Sequence, residues 1–106
     1  MPDLNIGTAD GASAHPAITQ AVAGAAARFA DVSHVVNGRF KGGYITRHYG
    51  NPQGHVHAVQ LEMCQSLYMG EEPPYEYDSS LASGVQPVLR DMLAAALAAC
   101  RGLYGR

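Results

Sequence analysis

The residues that could do chemistry are concentrated in residues 37–63, which read NGRFKGGYITRHYGNPQGHVHAVQLEM. Arg39, Lys41 and Arg47 are three of the seven basic residues of the chain, and they lie in a Gly-rich, aromatic segment without helical periodicity. Glycines let such a segment fold back and bring main-chain N–H groups near a ligand. A guanidinium group holds a carboxylate through two parallel hydrogen bonds. The pattern therefore predicts a loop over residues 38–54 that binds a small carboxylate; the alternative is that these cations are solvated surface charges.

Glu62 is the candidate acid or base beside that loop. It lies near the end of a β-like run, residues 55–63, and open α/β sheets bind their ligands at the carboxyl ends of strands. Side chains alternate along a strand, so Gln60 and Glu62 face one way and His57 faces the other. A Glu in an otherwise apolar strand is costly to bury unpaired, which indicates a base, a metal partner or an arginine ion-pair partner. A purely structural ion pair is the alternative.

Histidine and tyrosine side chains accompany these charges in the sequence. His48 lies in the RHYG tetrapeptide and is suited to orient a substrate, donate a proton or bind a metal, although a lone loop histidine is often only exposed. His55 and His57 form an HxH pair whose spacing suits zinc, but no third ligand stands beside them. Tyr44 and Tyr49 either line the pocket or cover it by aromatic packing.

Strand and helix patterns alternate along the chain and define the scaffold. The first helix has apolar side chains at helical spacing, with Ser13 as the predicted cap and Pro16 in the first turn. The second helix contains Pro87, which predicts a late start or an early kink, because an interior proline removes a hydrogen bond. The order strand, helix, strand predicts a parallel pair in an α/β fold, a small layered sheet flanked by helices with exposed edges. The predicted strands cover residues 3–8, 32–37 and 55–63, the predicted helices cover residues 13–30 and 80–104, and residues 71–78 form an extended surface crossing.

Composition limits the classes of function. With 106 residues the chain forms one domain at most, residues 1–106, and 47% hydrophobic against 15% charged residues favours a folded globule. A net charge of -2 without a basic run lacks the electrostatic footprint of nucleic-acid binding. No stretch has the pattern of a signal peptide or a membrane span, which predicts a cytoplasmic protein. Cys64 and Cys100 are far apart in the sequence, and neither lies in a CxxC or CxxH motif. Neither a disulfide framework nor a cysteine metal site is therefore indicated.

Four stretches of the chain together resemble one family. They read PDLNIGTADGAS, HVVNGRFKGGYITRHYG, HAVQLEM and YMGEEPPYEYD. In this order they are similar to the C-terminal part of bacterial N-formylglutamate amidohydrolases, also called N-formylglutamate deformylases. The resemblance covers nearly the whole chain, and the pair GGYITRHYG and HAVQLE is far more specific than a lone Gly-rich motif.

The resemblance implies a fold, an activity and site residues. Family members are zinc-dependent hydrolases of histidine degradation, which release formate and L-glutamate from N-formyl-L-glutamate. Their fold is similar to that of zinc carboxypeptidases, a phosphorylase/hydrolase-like α/β/α arrangement. By pattern, Glu62 in QLEM stands where that wider fold has its general base. Two arginines would clamp the two carboxylates of the substrate, an N-acyl amino acid. The implied substrate-binding residues are Arg39, Arg47, Asn37, Tyr44 and His48.

The same resemblance places the zinc ligands outside this chain. Family members are much longer, and their metal-binding His and acidic residues are expected before the PDLNIGT run. The chain is therefore expected to be a truncated C-terminal piece that keeps a substrate loop and a base. A different class of function stays open, namely a non-catalytic module that binds an anion or self-associates through an exposed sheet edge.

Overall fold

A computed structural model describes residues 2–105 of the chain. The strands are β1 (Leu4–Gly7), β2 (His34–Val36) and β3 (Gln60–Met63). The α-helices are α1 (Pro16–Ala27), α2 (Tyr44–Tyr49) and α3 (Ser79–Tyr104), and single 3-10 turns lie at Pro52–Gly54 and Gln65–Leu67. Residues 71–78 are exposed throughout, as predicted for a surface crossing. Within the described part of the chain, no helix is both long enough and apolar enough to span a membrane.

β1 is the central strand of a mixed sheet whose order is β2, β1, β3. β1 and β2 are parallel and α1 connects them, which confirms the predicted strand, helix, strand unit. β3 runs antiparallel to β1, with Asn5 opposite Glu62 and Ile6 opposite Leu61. This register decides which side chains share a face of the sheet.

The hydrophobic core lies on one face of the sheet, under α1 and α3. Leu4 and Ile6 are fully buried, and they point to the same face because side chains alternate along β1. Ile18 of α1 and Val88 of α3 belong to the same buried cluster. Full burial of one such side chain contributes about 1.5–3 kcal/mol. The predicted α/β architecture is confirmed, with both long helices packed on the same side of a small sheet.

The opposite face of the sheet is crossed by the loop that precedes α2. A Cβ atom at Gly7 would lie 2.5 Å from the Lys41 carbonyl carbon and 2.6 Å from the Gly42 nitrogen. The Ala9 N–H donates to the Lys41 carbonyl at 2.7 Å. Because backbone approaches backbone this closely, only glycine fits on β1 at the crossing. The contact brings residues 37–43, the loop between β2 and α2 that we call the basic loop, onto the face of the sheet that points away from the core.

Residues 44–49 form helix α2, so the prediction of a loop throughout residues 38–54 is wrong. Gly42 has a φ of 102°, which turns the chain sharply, and Gly43 is the N-cap. The helix has six residues and buries a single side chain, Thr46. A helix this short needs no apolar stripe, and hydrophobic periodicity therefore gave no sign of it.

Helix α1 is capped by a residue other than the predicted one. His15 Nδ1 accepts a hydrogen bond from the Ala17 N–H at 3.0 Å, so His15 is the N-cap. Ser13, the predicted cap, is buried and donates through Oγ to the Ala58 carbonyl at 2.7 Å. A tertiary hydrogen bond therefore takes the hydroxyl that local sequence would assign to capping. The helix also ends at Ala27, before the predicted residue 30.

Helix α3 begins at Ser79, one residue before the predicted start, and contains Pro87. Of the two alternatives predicted for the proline, the late start is therefore wrong. Asp78 caps it, with Oδ1 accepting from the Ser80 N–H at 2.9 Å. Pro87 lacks the N–H that would bond to the Ser83 carbonyl. Both residues are exposed, so water can satisfy that carbonyl and the helix tolerates the proline.

Strand β3 is shorter than the strand predicted over residues 55–63. The 3-10 turn at Pro52–Gly54 precedes it, and His55 has a φ of 64°, which lies outside the strand region. Pairing with β1 begins only at Gln60. Gln60 and Glu62 nevertheless share one face of the strand, as the alternation predicted.

His57 joins the start of α1 to the end of α3. Its Nδ1 accepts the backbone N–H of His15 at 3.0 Å, and its Nε2 is hydrogen bonded to the Tyr104 hydroxyl. Because Nδ1 accepts, the neutral ring carries its proton on Nε2 and donates it to Tyr104. Burial, with smaller contributions from His15 and His55, lowers the pKa of His57 from its usual 6.5. The fold therefore uses the neutral form of this histidine.

The stability of the chain should fall as the pH is lowered through the range in which His57 titrates. With a depressed pKa in the folded state, the unfolded chain binds this proton more readily below pH 6.5. The free energy of unfolding, measured with urea, should therefore decrease from pH 7.5 toward pH 5, by at most about 1.4 kcal/mol per pH unit. His57→Gln should flatten that slope, whereas the exposed control His48→Gln should keep it. Identical slopes in all three proteins would contradict this assignment.

Candidate functional site

The polar face of the sheet carries Asn5, Gln60 and Glu62. Asn5 and Glu62 are directly opposed in the register of β1 and β3, and Gln60 lies two residues before Glu62 on the same face. Side chains opposed in this way have Cβ atoms about 4.5–5.5 Å apart. The loop before α2 crosses the same face above Gly7. Strand pairing thus places a carboxylate and two amides beside the basic loop.

Glu62 is exposed, and its carboxylate has a defined hydrogen-bond donor. Oε1 accepts from Gln60 Nε2 at 2.9 Å. Two ion pairs form within residues 2–105, and neither includes Glu62. The described residues therefore do not provide the structural ion pair that was the alternative explanation for this carboxylate. Because the side chain reaches solvent, the desolvation penalty expected from sequence does not arise.

Gln60 connects this carboxylate to the loop. Its Oε1 accepts from the Gly43 N–H at 2.8 Å and from Thr46 Oγ1 at 3.2 Å. A backbone N–H can only donate, so the oxygen of the amide faces the loop and its NH2 group faces Glu62. Thr46 is buried, and this contact therefore anchors the start of α2 on β3.

Arg47 joins the same network through one peptide group. Its Nη1 donates to the Gly42 carbonyl at 3.2 Å. That carbonyl belongs to the peptide group whose N–H, on Gly43, donates to Gln60. Arg47 and Glu62 therefore lie at the two ends of a run of three hydrogen bonds on the polar face of the sheet.

The other two cations of the loop have different surroundings. Lys41 Nζ lies 3.2 Å from Asp10 Oδ2 in an exposed ion pair, which holds the loop against the turn after β1. Arg39 is exposed, with its guanidinium carbon 5.9 Å from the centroid of the Phe40 ring. Neither Arg39 nor Arg47 is ion-paired within the described residues. Two guanidinium groups, one in the loop before α2 and one on α2, are thus open to an anion.

Asn37, predicted to support substrate, uses most of its side chain to brace the turn after β1. Its Oδ1 accepts from the Thr8 N–H at 2.8 Å and from the Asp10 N–H at 3.3 Å. Its Nδ2 donates to Thr8 Oγ1 at 2.8 Å. The φ of 52° places it in the left-handed region, which asparagine tolerates better than most residues. Asn37 therefore positions the segment from which the basic loop starts.

Tyr44, His48 and Tyr49 form an exposed aromatic patch on α2. The rings of Tyr44 and His48 stack with centroids 4.8 Å apart, and His48 meets Tyr49 edge-on at 4.6 Å. The tyrosines are 63% and 58% exposed. Their rings and hydroxyls face solvent on the helix that carries Arg47, so they do not serve as core packing.

The described residues do not form a metal site. Within residues 2–105, no group of three or more His, Cys, Asp or Glu side chains is close enough to hold an ion. The predicted HxH pair is already engaged, because the His55 ring stacks on Tyr104 with centroids 4.3 Å apart and both nitrogens of His57 are hydrogen bonded. The donors of this part of the chain therefore do not by themselves provide the three protein ligands of the zinc ion that the resemblance implies.

Sequence reasoning did not identify Asn5, and it gave Gln60 and Thr46 no role. Asn5 is 1% exposed, and its Nδ2 donates to the Pro2 carbonyl at 2.9 Å. Its Oδ1 is buried without a partner among the described residues. Since the Pro2 carbonyl can only accept, the amide cannot be turned around to relieve this oxygen. An amide in the middle of the apolar LNI run was the signal available in the sequence.

Known proteins with the same sequence pattern and fold were found by comparison. The model of the family described as N-formylglutamate amidohydrolase matches residues 1–69. The chain is 52% identical over 98 residues to an N-formylglutamate deformylase of Pseudomonas putida, a match that covers 92% of this chain and 37% of the relative. It is 49% identical over 104 residues to an N-formylglutamate deformylase of Pseudomonas aeruginosa, which covers 98% of this chain and 39% of the relative.

A solved structure shares the fold. The crystal structure of N-formylglutamate amidohydrolase from Ralstonia eutropha JMP134 superposes with a TM-score of 0.79 at 24% identity, over 96% of this chain and 36% of that one. The chain thus spans less than two fifths of the length of the relatives it matches. It belongs to the N-formylglutamate amidohydrolase family.

Proposed function

We propose that this chain supplies the substrate-binding loop and the general base of an amidohydrolase that converts N-formyl-L-glutamate and water into formate and L-glutamate. Family membership and the names of the two Pseudomonas relatives support the reaction. The observation that carries the assignment of residues is the run of three hydrogen bonds between Arg47 and Glu62. It supports the assignment because a guanidinium group and a carboxylate lie on one face of the sheet, where we propose that the first binds the substrate and the second transfers a proton.

The substrate-binding part of the proposal rests on charge. N-formyl-L-glutamate carries two carboxylates, and Arg39 and Arg47 are exposed guanidinium groups without ion-pair partners in the described chain. A guanidinium fork matches a carboxylate in shape and in hydrogen-bonding pattern. Tyr44 and His48, exposed beside Arg47, contribute a hydroxyl and an imidazole, and Asn37 acts by holding the loop in place.

The catalytic part of the proposal assigns the proton to Glu62. The carboxylate removes a proton from the water molecule that attacks the formyl carbon. The C–N bond then breaks, and the same proton passes to the departing nitrogen, so that glutamate leaves as a neutral amine. The formic acid formed keeps the water oxygen, and its own proton then passes to solvent or to the amine, which gives formate. Glu62 is exposed on the polar face and is held at one oxygen by Gln60, which leaves the other oxygen for this work.

The proposal has four further parts: zinc is the cofactor, the fold is like that of carboxypeptidases, the reaction belongs to histidine degradation, and the protein is cytoplasmic. Zinc would activate the attacking water and polarise the formyl group. Since the donors of residues 2–105 do not fit such an ion, we propose that its ligands lie in the part of the family's length that this chain does not span. The three-stranded sheet and its helices would then be one portion of a larger α/β/α sheet.

The role of Glu62 can be tested in a chimera in which this chain replaces the matching segment of the Pseudomonas putida relative. Glu62→Gln keeps the volume of the side chain and removes the base, so turnover of N-formyl-L-glutamate should fall by about 100-fold or more. The control Glu71→Gln changes an exposed carboxylate of the surface crossing and should keep full activity. An inactive but folded parent chimera, or a Glu62→Gln variant as fast as its parent, would refute the assignment.

The role of Arg47 predicts a different kinetic signature. Arg47→Met removes a charged hydrogen-bond donor from the ground state and the transition state alike, so KM should rise about 10-fold or more with a smaller change in kcat. Arg90→Met, an exposed arginine on α3, serves as the matched control. Steady-state kinetics in the same chimera provide the measurement. Equal KM values for both variants would argue against carboxylate binding by the loop.

A second candidate function, self-association as an assembly module, is favoured by the outer edge of β3. β3 is a terminal strand of the sheet, so that edge faces no other strand of residues 2–105. A cavity of about 460 Å³ beside it is lined by apolar side chains that include Val59, Leu61, Leu93 and Leu97. The last two are 73% and 53% exposed. We propose that two copies pair their β3 edges antiparallel about a two-fold axis and cover this cavity.

Sedimentation equilibrium of the 106-residue chain tests the second candidate. The parent chain should form a dimer, and Leu97→Lys should shift it to monomer because the change buries a charge in the interface. Leu81→Lys is the control, since this exposed leucine lies on α3 but does not line the cavity. A parent chain that stays monomeric at all concentrations, or a dimer that Leu97→Lys leaves intact, would exclude this interface.

A further inference from the structure

We propose that Gln60 is a positioning residue for the reaction. One end of its amide orients the Glu62 carboxylate, and the other end fixes the start of α2, the helix that carries Arg47. The inference rests on the proposed function of Glu62 and Arg47. It adds a residue that acts through its neighbours and does not itself contact the substrate. The physical basis is the set of three hydrogen bonds that Gln60 makes within the described chain.

Both ends of the Gln60 amide are used, and only one orientation of the amide satisfies them. Nε2 donates to Glu62 at 2.9 Å, and Oε1 accepts from the Gly43 N–H at 2.8 Å and from Thr46 Oγ1 at 3.2 Å. A flipped amide would set its NH2 group against the Gly43 N–H and its oxygen against a carboxylate, so two attractive contacts would become repulsive. The amide group is planar and rigid. A displacement of the loop therefore moves the donor that holds the carboxylate.

At the loop, Gln60 contacts a peptide group whose carbonyl and N–H are both hydrogen bonded. The carbonyl of Gly42 accepts from Arg47, and the N–H of the same peptide group donates to Gln60. Hydrogen bonds in such a chain polarise one another and strengthen together. Contact of Gln60 with this peptide therefore stabilises the position of the Arg47 guanidinium as well.

Close packing between Gly42 and Thr46 restricts the position of the loop before α2. Gly42 has a φ of 102°, and a Cβ atom there would lie 2.8 Å from three atoms of the Thr46 side chain. Thr46 is 2% exposed, so its hydroxyl reaches Gln60 within a filled space. The loop consequently has little freedom to bind the amide of Gln60 in another way.

Nuclear magnetic resonance of the 106-residue chain tests the contacts without any assay of activity. Gln60→Met should make the Gly43 amide hydrogen exchange roughly 5-fold faster or more, because its acceptor is lost. Thr46→Val, which removes only the neighbouring hydroxyl, should change this rate much less. Glu62→Gln should shift the side-chain NH2 resonances of Gln60, whereas Glu71→Gln should not. Unchanged Gly43 exchange in a folded Gln60→Met chain, or unmoved NH2 resonances in Glu62→Gln, would overturn the inference.

Kinetics in the chimera separate positioning from a merely structural role. Gln60→Met should lower kcat and raise KM together, because it releases the carboxylate and the loop at once. Gln60→Glu keeps an acceptor for the loop and should keep KM near that of the parent. It also places a second carboxylate beside Glu62, so the acid limb of the profile of kcat/KM against pH should move to higher pH. A Gln60→Glu profile that superposes on the parent profile would overturn the inference.

The two proposals fail in distinguishable ways. If Glu62→Gln leaves turnover unchanged while the resonance shifts and exchange rates behave as stated, the proposed function is wrong and the coupling through Gln60 stands. If Glu62→Gln abolishes turnover but Gln60→Met changes neither exchange nor kinetics, Glu62 remains the base and Gln60 has no positioning role.

Discussion

The structure depends on its central strand, β1, because one face of this strand packs in the core and the other carries polar contacts. Leu4 and Ile6 of β1 point into the core, where α1 and α3 cover them. Asn5 and Gly7 point the other way, toward β3's polar side chains and the basic loop. Strand alternation makes these two assignments inseparable, because a shift of one residue would send the leucine and isoleucine to the polar face. The register of β1 therefore determines the core and the candidate site together.

On the polar face, two neutral groups, the Gln60 amide and the peptide group between Gly42 and Gly43, lie where an ion pair would otherwise form. Glu62 and Arg47 are joined through an amide and a peptide group, and neither charge is neutralised by the other. Direct pairing would occupy both charged groups. The link through the amide holds both charges in place and leaves them exposed, which is compatible with the proposed binding of an anion and transfer of a proton.

We propose that the described residues carry one portion of a site. They contain guanidinium groups, an aromatic patch and a carboxylate, but their donors do not fit a metal ion. The chain spans 37% and 39% of the length of two relatives. Within residues 2–105, the Asn5 Oδ1 is buried without a partner, and an apolar cavity lies beside β3.

The sequence by itself determined the α/β class, the parallel strand pair, the face shared by Gln60 and Glu62, and the family, because periodicity and motif order are local properties of the chain. It misplaced the cap of α1 and the start of β3, and it missed helix α2. Only the tertiary structure decided that Ser13 donates a hydrogen bond to Ala58 and that both ring nitrogens of His57 are hydrogen bonded, one to α1 and one to α3. It also decided that Gln60 links the basic loop to Glu62. These hydrogen bonds join residues up to 47 positions apart. Local pattern carries no information about which distant donor a side chain will meet once the sheet and helices have packed.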